Sequence, residues 1–216
     1  MKKNVIFYNV ATVNHYQKIS DQIFNRIESS GLLNNVESIN ININGSGSLI
    51  VPDNDKYNIY RVGKLEDMEH HSMLTIREFS ILHDNYNIFY LHSAGCSHPE
   101  SKPLNDRREY LLYFNVDEWQ DAVDKLNTFD CYGCDLRTEP VMHYSSNFWW
   151  ATTEYLRTLP KVTDLPLQNG SVNSDRHRSE FWVCYGNAGN YYCAWDCGIS
   201  CYERHLHSYS RENYVL

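Results

Sequence analysis

The spacing of apolar positions changes several times along the first hundred residues. Residues 4–13 (NVIFYNVATV) hold a compact, β-rich apolar run, after which Ile19, Ile23, Phe24 and Ile27 recur at helical spacing. Ser29-Ser30-Gly31 predicts the end of that helix, because glycine takes the left-handed position after a helix without steric cost. From Val36 to Ile43 the pattern alternates as a strand does. Strand, helix, strand in that order predicts a βαβ unit and parallel pairing. Turn residues at Gly45 to Gly47 and Pro52 to Asp55 precede a further strand over Tyr57 to Val62 and a helix over Glu66 to His83. Residues 87–91 (NIFYL) form an unbroken apolar run, as in a strand buried on both faces, and end in His92-Ser93-Ala94-Gly95.

The second half is less regular. His98 to Arg108 is polar, contains Pro99 and Pro103, and reads as a loop of the length that covers sites. Helices are expected over Arg107 to Phe114 and Val116 to Leu126, parted at Asn115, followed by a short strand or turn at Phe129 to Gly133. Ser145 to Leu159 begins aromatic and turns helical until Pro160. Residues 161–179 read as a second polar loop, and Phe181 to Tyr185 as a last apolar element. With no repeat or linker, residues 1–216 are expected to form one α/β domain, a mostly parallel central sheet flanked by helices.

Composition narrows the function classes. Seventeen Tyr, eight Phe and five Trp among 216 residues supply enough ring surface to exclude a disordered chain. The longest apolar runs have five residues, against the roughly 20 a bilayer span needs, so no membrane span is expected. Lys2 and Lys3 lead into a strand rather than an apolar leader, which predicts a cytoplasmic protein. The net charge of −8, with basic residues scattered, argues against nucleic acid as a partner. Seven cysteines, an odd number, point to reduced thiols rather than a disulfide framework.

Several strings, taken in order, resemble one group of proteins: Ser30-Gly31-Leu32, YLHSAG at 90–95, Trp119 after the polar loop, FDCYGCD at 129–135, HYSSNFWWA at 143–151 with Tyr155-Leu156 and Leu159-Pro160 behind it, and SEFWV at 179–183. They are similar to a glycosyltransferase-like family of large DNA viruses and bacterial polysaccharide clusters that carries YxHTKG and HFSGNFWWA segments. The resemblance spans almost the whole chain and implies a GT-A-type fold that moves a sugar from a nucleoside-diphosphate donor to a glycan acceptor. It also implies that Tyr8, Asn9 and Thr12, past the first strand, receive the nucleoside. Tyr144 and Ser146 replace the family's Phe and Gly, and Ser93-Ala94 stand where Thr-Lys would be, which removes one phosphate contact.

The chemistry of transfer suggests further candidates. A base must take the acceptor proton if the reaction inverts, and positive charge or a metal must meet the departing diphosphate. Glu180 is the expected base, with Asp135 or Asp175 behind it. Arg77, Arg107 or Arg108 would hold phosphates; His92, Ser93 and Gly95, at a strand's carboxyl end, join the donor site. Asn147, Trp149 and Trp150 offer an amide beside flat rings, suited to an acceptor sugar, with one Trp expected in the core and one in the cleft. Mn²⁺ or Mg²⁺ would need a carboxylate pair at the strand end. The chain's Asp-x-Asp, Asp53-Asn54-Asp55, sits instead in a turn, so no metal ligand is assigned. Rival readings are a non-catalytic carbohydrate-binding domain and an interaction module built on zinc held by four of Cys131, Cys134, Cys193, Cys197 and Cys201.

Overall fold

The computed structural model describes residues 2–166, 174–200, 203 and 206–215. β1 (Lys3–Ala11) leads through α1 (Tyr16–Ser29) to β2 (Ile39–Asn44), and β3 (Tyr57–Gly63) through α2 (His70–Leu82) to β4 (Tyr86–His92). α1 ends as its sequence predicts, with Gly31 at φ 77°. α3 (Lys102–Leu112), a π-helical turn at Tyr113–Asp117 and α4 (Trp119–Lys125) lead to β5 (Cys131–Gly133). The hairpin β6 (Leu136–Arg137) and β7 (His143–Tyr144), then β8 (Trp149–Thr152), α5 (Thr153–Leu156), α6 (Ser174–Trp182) and β9 (Tyr191–Cys193) complete the order.

Seven strands form one sheet in the order β3-β2-β1-β4-β8-β5-β9. β8 pairs antiparallel with both β4 and β5, and the other pairings are parallel. The fold is therefore α/β with a mostly parallel central sheet, covered by helices on both faces. Ile6, Tyr8 and Val10 of β1 pack with Ile19, Ile23 and Phe24 of α1, whereas Val5 and Phe7 pack with Met73 and Ile76 of α2. Because strand side chains alternate between faces, the string INININ in β2 sends its isoleucines to the α1 side and its asparagines to the α2 side. All six are buried. Among the described residues no helix is long and apolar enough to cross a membrane.

The two stretches read as polar loops both run into helices. α3 begins inside residues 98–108: Ser101 Oγ accepts the Leu104 N–H at 3.5 Å, and Pro103 falls in the first turn, where a missing N–H costs nothing. The second expected loop includes residues 167–173, outside the described residues, but α6 starts at Ser174, so Glu180 lies in a helix and Phe181 to Tyr185 is no separate element. The segment after Ser145 is a strand with only four helical residues behind it, Thr153–Leu156.

Trp149 and Trp150 are both fully buried. Adjacent strand residues face opposite sides, and here both sides are core. Trp150 stacks on Phe89 with centroids 5.0 Å apart, and Trp149 lies 5.2 Å from Tyr90. Neither lines a cleft, which corrects the expectation of one ring in each environment.

Candidate active site at the carboxyl ends of β1 and β4

β1 is flanked by β2 and β4; the chain leaves it toward β2 over one face through α1 and returns to β4 over the other face through α2. At such a switch point the flanking loops part and leave a crevice beyond the carboxyl ends of the strands. A cleft of about 320 Å³ lies at that edge, lined by Glu69, His92, Gly95, Arg107, Asn147 and Glu180, together with His98, His143 and His177. A neighbouring hollow of about 480 Å³ shares Pro140 and Phe181 with it, but among the described residues no carboxylate or imidazole lines that hollow.

The cleft residues come from several elements. Glu69 stands immediately before α2, behind Met68, whose φ of 50° and ψ of −120° are strained for a side-chain-bearing residue. The Met68 carbonyl accepts from Asn44 Nδ2, and that amide also donates to Asn9 Oδ1 at 3.2 Å. Ser72 Oγ donates to the same Asn9 oxygen at 2.9 Å and accepts from Asn42 at 3.0 Å. The asparagine face of β2 thus becomes a buried polar network under the start of α2.

Asn147 ties the cleft together. Its Nδ2 donates to Glu69 Oε2 at 2.6 Å and to the Ser179 carbonyl at 3.3 Å, while its Oδ1 accepts from Trp149 Nε1 at 2.7 Å. It is 2% exposed, at φ 53°, and follows Ser146 at φ 79°. Ser146 is where the resembled motif carries Gly, the residue that favours this backbone. Glu69 Oε2 takes a second bond from Tyr90 OH at 2.7 Å. Burial first, then the charge and hydrogen bond of Glu69, raises the Tyr90 pKa well above its ordinary value, so the hydroxyl stays protonated and donates.

Arg107 donates through Nη2 to Ser145 Oγ at 3.2 Å, and its buried Nε has no partner among the described residues. Among the described residues no carboxylate pairs with it. Glu180, partly exposed in the last turn of α6, likewise has no hydrogen-bond or ion-pair partner among them. Arg108 points away: it is buried and bonded to Gln22, Asn105 and the Ala94 carbonyl, which fixes the turn at Gly95 (φ 85°). Burial lowers its pKa.

The cleft therefore gathers His92, Gly95, Asn147, Glu180 and Arg107 from the sequence candidates. Other candidates lie elsewhere. Tyr8 is inside β1, 1% exposed, with its hydroxyl on Ser20 Oγ at 2.7 Å, and burial raises its pKa. Asn9 belongs to the buried network, and Ser93 Oγ accepts the Ala11 N–H at 3.1 Å. Thr12 bonds the Asn44 carbonyl and Gly47 N–H; Arg77 bonds the Leu159 carbonyl at 2.7 Å. Asp135 is fully buried and takes Tyr110 OH, Arg137 and the Cys197 N–H; the side chain of Asp175 is outside the described residues. Tyr8→Phe is expected to cost about 1 kcal/mol in denaturant unfolding and to leave ligand affinity in the cleft unchanged, since the hydroxyl serves α1 alone.

Among the described residues neither the Asp-x-Asp string nor the rival zinc reading finds a metal geometry. Asp53, Asn54 and Asp55 are exposed ahead of β3, at the sheet edge opposite the cleft. Cys131 and Cys134 fall in the cores on opposite faces of the sheet, both with pKa values raised by burial, and cannot share an ion. Cys193 ends a strand rather than lying on a helix, and Cys201 is outside the described residues. Asp135, Asp196 and Cys197 do converge, but on Arg137 Nη2, at 3.1, 2.7 and 3.3 Å. A guanidinium holds the place a cation would take.

The profile of a family described as a domain of unknown function (DUF8361) matches residues 7–188. The chain belongs to that family. Those residues include every described residue that lines the cleft. No curated protein matches the sequence. Among solved structures, the chain is similar to the crystal structure of 4-diphosphocytidyl-2C-methyl-D-erythritol synthase, at 9% identity over 95% of this chain and 96% of that one, with a TM-score of 0.40. A likeness that faint carries no chemistry across.

Proposed function

We propose that this member of the DUF8361 family is a glycosyltransferase of GT-A type, moving a sugar from a nucleoside diphosphate to a glycan hydroxyl in the cleft beyond β4. The supporting observation is the meeting, at the switch point of a mostly parallel sheet, of a carboxylate, Glu180, and a guanidinium, Arg107, neither of which has an ion-pair partner among the described residues. Glu180 takes the acceptor proton as the acceptor oxygen attacks the anomeric carbon; the bond to the diphosphate breaks and its electrons leave on the phosphate oxygen. Arg107 meets that charge, with His98 lining the same cleft. The donor set expected for Mn²⁺ or Mg²⁺ does not fit here: the Asp-x-Asp string is at the opposite edge, and β4 ends in His92, whose Nε2 is engaged with the Ser146 carbonyl at 2.9 Å. No step is routed through a metal.

Thermal melts against a panel of nucleoside diphosphates and nucleotide sugars test the reading. A ligand at one hundred times its Kd adds about 2.7 kcal/mol to the native state, so at least one nucleotide should raise the melting temperature. A panel with no stabilising nucleotide contradicts the proposal. Arg107→Ala should weaken nucleoside diphosphate binding about 10- to 100-fold by titration calorimetry. Stability should change by less than about 1 kcal/mol, because Arg107 bonds only one described side chain, Ser145.

A further inference from the structure

Glu69 was not marked by any sequence motif, yet it is held on both sides in the cleft. Its Oε2 is fixed by Tyr90 OH and Asn147 Nδ2, and its backbone by the Asn44 amide on the Met68 carbonyl. The other oxygen, Oε1, has no hydrogen-bond partner among the described residues and faces His92 Nδ1 at 3.9 Å. His92 is equally fixed, since Nε2 is turned to the Ser146 carbonyl at 2.9 Å and the ring packs on Phe148 with centroids 5.4 Å apart. Strained backbone at Met68, Ser146 and Asn147 brackets this pair, and such strain is retained where a site needs a set geometry.

A gap of 3.9 Å is too long for a direct hydrogen bond. One oxygen atom about 2.8 Å from each group fills it, with a near-right angle at that oxygen. We propose that Glu69 and His92 frame the place of a single hydroxyl of the sugar carried by the donor, which donates to Glu69 Oε1 and lies beside His92 Nδ1. The inference rests on the nucleotide-sugar reading of the cleft and gives it a specificity element: the pair recognises the sugar, whereas Arg107 recognises the diphosphate. Glu69 is thus a binding residue, distinct from the base Glu180.

Glu69→Gln tests this cleanly. Two donors, Tyr90 OH and Asn147 Nδ2, keep the glutamine carbonyl at the Oε2 position, so the amide NH₂ replaces Oε1 and turns an acceptor into a donor. The probes are the nucleotide sugar that stabilises the wild-type protein most in the panel, and its parent nucleoside diphosphate. Glu69→Gln should bind the diphosphate as the wild type does and the nucleotide sugar about 10- to 100-fold more weakly, the usual range for losing a hydrogen bond to a charged group. Should Glu69→Gln fail to fold, Glu69→Asp keeps the charge, withdraws the carboxylate from His92, and should show the same selective loss. Unchanged nucleotide-sugar affinity in the folded variant overturns the inference while leaving the donor site standing. Equal weakening for both probes overturns it too, because a merely structural role would not separate them. A panel in which no nucleotide sugar or nucleoside diphosphate stabilises the wild-type protein overturns the reading of the cleft, and this inference with it.

Discussion

Glu180→Gln is expected to lower turnover by about two to four orders of magnitude while donor affinity and melting temperature stay close to the wild type. The substitution keeps the shape of the side chain and removes its basicity. Glu180 has no partner among the described residues, so the change breaks no hydrogen bond or ion pair within them. Its neighbour Ser179 is held by Asn147 through the Ser179 carbonyl, which fixes the last turn of α6 against the cleft whatever residue stands at 180. Transfer measured with donor and acceptor at saturation isolates the chemical step. Near-normal turnover, or a product that keeps the donor's anomeric configuration, rejects Glu180 as the base of an inverting displacement.

Asn147→Ala should be more damaging to the fold than a pocket residue usually is, at about 2–4 kcal/mol. Three hydrogen bonds disappear at once. The Trp149 indole N–H and the Ser179 carbonyl lose a partner in a buried setting, and Glu69 loses one of the two donors on Oε2. Their loss frees Glu69 and the end of α6 together, so transfer should fall as well, even at temperatures where the variant is fully folded. Chemical denaturation and turnover on the same preparation check both. A variant as stable as the wild type contradicts the hub geometry. The sequence reading of Asn147 as a sugar-binding amide gives way here: both its N–H groups and its oxygen already have protein partners.

What the sequence made legible was the periodic part. The βαβ start, the doubly buried strand at 87–91 and the glycine stop at Gly31 all follow from apolar spacing and one backbone preference. Polarity misled where a helix starts with a cap and a proline, as at Ser101 and Pro103, because the same residues also make loops. The aromatic pair at 149 and 150 misled for a different reason: alternation puts neighbours on opposite faces, and nothing local says whether both faces are covered. Of the site, His92 and Gly95 were readable from their place after a strand. Glu69 was not, since an acid beside a helix start is ordinary, and only the fold brings Tyr90, Asn147 and His92 around it.

The most direct test is a crystal structure of the protein with the nucleoside diphosphate that stabilises it most. The diphosphate is expected in the cleft beyond β1 and β4, its phosphate oxygens within hydrogen-bond distance of Arg107, with Glu180 facing the position of the next substituent. A diphosphate bound at the opposite sheet edge, beside Asp53 and Asp55, or held elsewhere with Arg107 uninvolved, contradicts it.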